Sequence, residues 1–157
     1  MYKLVLSGLL LVSSFSYAQN KKSLDSVDKV IISQIITPAE QQSPDQEPQW
    51  TALTQQIKAS YSDVQADRAI TKGQIYYYYG KNWPKFCAAL VHYTEAYEDK
   101  DDLALMNKNA NFILQRSADP KEFATALGWI KHAVDKEPSN EKYKTTYDAL
   151  AAKVSGK

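Results

Sequence analysis

Phe86-Cys87-Ala88-Ala89-Leu90-Val91-His92-Tyr93-Thr94-Glu95-Ala96 and Phe123-Ala124-Thr125-Ala126-Leu127-Gly128-Trp129-Ile130-Lys131-His132-Ala133 are one pattern written twice, 37 residues apart. Phe86, Ala89, Leu90, Tyr93 and Ala96 match Phe123, Ala126, Leu127, Ile130 and Ala133 in size, at the three-and-four spacing of a helix face. Small residues let antiparallel helices approach, and a larger one four positions on fills the space beside them. Ala89-Tyr93-Ala96 and Ala126-Ile130-Ala133 both have this order. Upstream, the same shift sets Ala69, Gly73, Tyr76 and Tyr77 beside Met106, Ala110, Ile113 and Leu114, and again beside Tyr143, Tyr147, Leu150 and Ala151. The repeating unit is therefore helix, turn, helix.

Punctuation agrees with this reading. Gly80 stops one helix, while Asp119, Pro120 and Glu122 supply an N-cap, a first-turn proline and a capping-box acid for another. Trp50, Leu53, Ile57 and Tyr61 mark a helix, and Val64, Ala69, Gly73, Tyr76 and Tyr77 the next. No segment alternates with period two, so the expected class is all-α. Residues 21–36 hold Leu24, Val27, Ile31 and Ile35 on one helical face. Residues 37–48 contain three prolines and almost nothing apolar, the composition of a linker or mobile loop.

Lys3 followed by the apolar run Leu4 to Val12, with small Ser16 and Ala18 beyond it, predicts an export signal cleaved near Ala18. The expected organisation is a signal in 1–18, an N-terminal helix and Pro-rich linker in 19–47, and a helical-repeat domain in 48–157. The expected compartment is the periplasm or the exterior. Removing the signal takes away one lysine and no acid from a chain of net charge +1, leaving a neutral balance. Such a balance gives no electrostatic footprint for nucleic acid or an anionic membrane.

The positions Ala89, Tyr93 and Ala96, their counterparts at 126, 130 and 133, the closing Pro138, and small Gly73 and Ala110 resemble a tetratricopeptide repeat, although the period exceeds the usual length of about thirty-four. The resemblance implies antiparallel helix pairs stacked as a short right-handed superhelix. Roughly from Tyr78 onward, the runs Lys81-Asn82-Trp83-Pro84-Lys85-Phe86, Leu105-Met106-Asn107-Lys108-Asn109-Ala110, 126–133 and Thr146-Tyr147-Asp148-Ala149-Leu150 look like the helical tail that follows the thioredoxin fold in some exported Bacteroidetes proteins. Cys87 is the only cysteine, so the pair needed for disulfide exchange is absent and no redox activity carries over.

In tetratricopeptide arrays the first helices line a groove, and the residues flanking their small position point into it. That resemblance selects Gln74, Tyr77 and Tyr78 from one unit and Asn107, Lys108 and Asn111 from the next as partner-binding residues. The expected function is a non-catalytic module that binds a peptide or protein, with no cofactor and no metal. A homodimer through Tyr147, Leu150 and Val154 of the last helix is a further expectation. The alternative is glycan binding on Trp50, Tyr78, Tyr79 or Trp83 as stacking platforms. His92 and Glu95 share a helix face and would need His132 as a third metal ligand. Glu98, Asp99, Asp101 and Asp102 lack the spacing of a calcium loop and fit a turn before a helix better. No nucleophile elbow, phosphate loop or zinc-protease motif occurs, and five glycines leave little for a phosphate cradle.

Overall fold

The computed structural model describes residues 23–156; the expected export signal lies outside them. Among the described residues there are seven helices and no strand, an all-α fold. They are α1 (residues 23–42), α2 (Trp50–Lys58), α3 (Asp63–Tyr78), α4 (Trp83–Tyr97), α5 (Leu103–Arg116), α6 (Pro120–Lys136) and α7 (Glu141–Ser155). None of the described helices is long and apolar enough to cross a membrane. The chain divides into two compact units between Ile70 and Thr71, inside α3.

In the first unit half of the expected linker is helix: Thr37–Gln42 continues α1, and residues 43–49 lie outside helices. A π-helical turn, Ile32–Ile36, makes this possible. Pro38 has no N–H to donate and its ring would crowd the carbonyl four residues back. The wider turn just before it, closed by Thr37 N–H on the Ile32 carbonyl, relieves that conflict. The turn also re-aims the apolar face. Ile31 and Ile36, five residues apart, are both buried, and Ile35 only partly so. They share a core with Leu53, Ile57, Ala66, Ala69 and Ile70, which is why the unit ends within α3 and not at the prolines.

One contact in this unit has no precursor in the apolar pattern. Arg68 of α3 is buried and forms ion pairs with Asp25 and with Asp28, the latter at 3.4 Å and itself buried. A lone buried charge is costly, so the carboxylates of α1 and the guanidinium of α3 require one another.

In the second unit α4 packs on α5, α5 on α6 and α6 on α7, and the next-but-one pairs α4/α6 and α5/α7 also touch. Each helix start is capped by its predecessor: Asn82 accepts from Lys85 N–H at 3.1 Å, Asp102 from Leu105 at 3.0 Å, Asp119 from Lys121 at 2.8 Å and Asn140 from Lys142 at 3.2 Å. Such caps contribute about 1 kcal/mol each. Glu122 does not complete the expected box. Its carboxylate takes the Ser117 hydroxyl, and Ser117 Oγ takes Asp119 N–H. Gly80 closes α3 with φ +75°, while Lys81 and Asn82 N–H groups return to the Tyr78 carbonyl.

The repeat positions Phe86/Phe123, Ala89/Ala126, Tyr93/Ile130 and Met106/Tyr143 are all buried. Two expected core positions are exposed instead. Ala96 is exposed although Ala133 is fully buried. The loop from α4 to α5 is one residue longer than that from α6 to α7, and α4 packs less closely on α5 than α6 does on α7. Tyr76 is 63 % exposed although Ile113 is buried, because the buried face of α3 in this unit runs through Thr71, Gly73 and Tyr78. Leu150 is fully buried and so cannot join a dimer surface; of the expected trio only Val154 is exposed, with Tyr147 half-buried.

Candidate functional site

The exposed face of α5 is written at i, i+3, i+4, i+7 and i+8: Lys108, Asn111, Phe112, Gln115 and Arg116. Lys108, Asn111, Phe112 and Gln115 line an open hollow of about 240 Å³. Phe112 also belongs to an aromatic cluster. Its ring meets Phe86 at 5.7 Å and Tyr79 at 6.3 Å, Tyr79 meets Trp83 at 5.5 Å and Phe86 at 5.6 Å, and Trp83 meets Phe86 at 5.5 Å. All these contacts are edge-to-face, the arrangement in which a positive ring edge meets a negative face. The Arg116 guanidinium lies 4.4 Å from the Trp83 ring centre. Phe86 anchors the cluster in the core, whereas Tyr79 is 56 % exposed.

Of the six residues expected to bind a partner, two line this hollow, Lys108 and Asn111. Asn107 and Asn111 are drawn into a bond between helices. Thr146 of α7 donates to Asn107 Oδ1 at 2.8 Å, and Asn111 Nδ2 donates to Thr146 Oγ1 at 3.0 Å and to the Asn107 carbonyl at 2.9 Å. The pair therefore fixes α5 against α7, and the Asn111 side-chain oxygen is left without a hydrogen bond among the described residues. Tyr77 is half-buried under the Lys81 ammonium at 4.1 Å, and Gln74 is half-buried. Tyr78 is 5 % exposed and cannot reach a partner, contrary to expectation. The inward face of α3 runs through Ile70, Thr71, Gly73 and Tyr78, rotated from the face the repeat alignment selects.

Phe112, Gln115 and Arg116 escaped the sequence reading, although a signal was present. Shifted by 37, Phe112 falls on Ile75 and Ala149, so a large ring stands on a face that is otherwise polar. Charge on this face has one sign. Helix α5 carries Lys108 and Arg116 and no acid, and neither cation forms an ion pair among the described residues.

The remaining chemical groups are spoken for. Cys87 is a buried free thiol whose pKa is pushed up to about 12 by burial and then by Glu122, so it is neither nucleophilic nor open to an intermolecular bridge. Glu95 accepts from Lys100 at 2.6 Å and from the Trp129 indole; burial acts to raise its pKa, and these hydrogen bonds outweigh that and lower it. His92 lies edge-on to Tyr97, and His132 pairs with Asp101 at 2.9 Å. In the acidic loop Asp99 accepts from Asp101 N–H and Asp102 caps α5. No group of three potential metal ligands occurs among the described residues. No protein-family model matches the chain, and no curated protein and no solved structure is significantly similar to it.

Proposed function

We propose that the protein is an exported, non-catalytic interaction module that binds a peptide or a protein segment across the exposed face of α5. The observation that carries this reading is Phe112, which belongs at once to the hollow of Lys108, Asn111 and Gln115 and to the cluster capped by exposed Tyr79. Binding surfaces place aromatic anchors beside polar groups in this way, because rigid rings supply contact area at little conformational cost. The helices beneath hold the rings: Phe86 is buried and the Asn107–Asn111–Thr146 bonds lock α5 to α7. The resemblance to tetratricopeptide arrays, whose first helices line a groove, points to the same face.

The glycan alternative has less behind it. Tyr78 is buried, Trp50 packs against the core of the first unit, and one face of Trp83 carries Arg116. Of the four platforms, Tyr79 alone is more exposed than covered.

The test is to pan a random peptide library on the immobilised protein and on its Tyr79→Ala variant. A shared motif enriched on the first and lost on the second supports the reading. Identical peptides on both, or no enrichment on either, would overturn it.

A further inference from the structure

We infer that the segment held on α5 is an extended, internal, acidic one, with an apolar side chain flanked by two carboxylates. This rests on the reading of α5 as the binding face and names the chemistry that the face selects. Charge complementarity is the first ground. Lys108 lines the hollow and Arg116 follows Gln115 at its edge, on a helix without acids, and neither forms an ion pair with a carboxylate among the described residues. The Trp83 ring holds the Arg116 guanidinium at 4.4 Å, and no hydrogen bond from that group to another described residue occurs. Its N–H groups stay available, which suits bidentate capture of a carboxylate.

Spacing is the second ground. Eight residues of helix separate the two cations, about 12 Å at 1.5 Å per residue. An extended chain covers that distance in about four residues. The matching ligand reads acid, any residue, aromatic or aliphatic anchor, any residue, acid. Its anchor falls midway, where Phe112 is, four residues from each cation. The Asn111 side-chain oxygen makes no hydrogen bond among the described residues when its amide nitrogen bonds Thr146, and on a residue that lines the hollow it would accept from a backbone N–H of the ligand. An oligosaccharide or an isolated anion would not use all of these groups together.

The experiment uses labelled peptides of this pattern, acetylated and amidated so that no terminal charge contributes, and reads affinity by fluorescence anisotropy. The acidic peptide is expected to bind roughly tenfold or more tightly than the same peptide with glutamine at both acidic positions, and to weaken as salt is raised. A Lys108→Glu/Arg116→Glu variant should lose the acidic peptide and prefer one with lysines in place of the acids. Both substituted positions are exposed, so circular dichroism of the variant should match that of the parent. Equal affinity for the acidic and glutamine peptides, with both lost in Tyr79→Ala, would overturn the acidic preference and leave the binding face standing. Failure of every peptide to bind, or binding indifferent to Tyr79→Ala and to the charge reversal alike, would overturn both.

Discussion

The two helix-turn-helix junctions of the second unit share a frame and differ in what fills it. At the first, Tyr79, Trp83, Phe86, Phe112 and Arg116 come together; 37 residues on, the same places hold Arg116, Pro120, Phe123, Ala149 and Lys153. A cation lies over an aromatic ring in both, Arg116 over Trp83 at 4.4 Å and Lys153 over Phe123 at 6.0 Å. Among the described residues only the first links four rings in one cluster, and one of them, Phe112, lines a hollow. The repeat fixes where side chains meet. Departures from the repeat decide what they can bind.

The comparison can be broken most forcefully at the buried rings. Phe86→Ala should cost about 3–5 kcal/mol in chemical denaturation. Phe123→Ala should cost less, by about 0.5–1.5 kcal/mol for the aromatic contacts that Phe86 makes and Phe123 lacks among the described residues. Equal losses would mean that the rings pack as mere bulk.

A smaller effect separates the two second helices. Ala133→Leu adds volume to a closed contact and should destabilise by about 1–3 kcal/mol, whereas Ala96→Leu, at the exposed counterpart, should stay within about 0.5 kcal/mol. Comparable costs at both would restore the unbroken repeat that the sequence implies. Smaller again, Arg116→Ala should lower stability by about 0.5–1 kcal/mol through its stacked guanidinium. Lys153→Ala, whose ammonium is at the outer limit of such contacts, should change it less, and the reverse order in thermal melts would contradict the geometry.

The smallest effect depends on pH. The hydrogen bond from His132, with the Lys136 charge behind it, holds the Asp101 carboxyl below its usual range. A lowered folded-state pKa adds stability above the unfolded carboxylate pKa, and that stability is lost as pH falls through the folded value. The difference in Tm between the parent and Asp101→Asn should therefore narrow below about pH 4. A constant difference across that range would show that Asp101 acts through shape alone.

The repeat itself was legible because it is written in residue size, and size at helical spacing is what packing reads. Met106, Ala110, Ala126 and Ile130 are buried where periodicity puts them. Ala96 and Tyr76 failed for reasons the pattern does not carry, namely the length of a neighbouring loop and the rotation of the buried face of α3 onto Thr71, Gly73 and Tyr78. Pro38 within a helix was illegible because the π turn that accommodates it depends on the core that Ile31 and Ile36 share with α2 and α3. The candidate face was half legible. Lys108 and Asn111 followed from the resemblance, whereas Phe112 and Arg116 needed the turn of α3 to bring Tyr79 and Trp83 beside them.

The most direct measurement is a backbone amide NMR titration of the protein with the acidic, end-blocked peptide. Shifts concentrated at Lys108, Asn111, Phe112, Gln115 and Arg116, with Tyr79 and Trp83 following, are the predicted result. Shifts gathered instead on the outer faces of α4 and α6, around His92 and Lys131, would contradict the account.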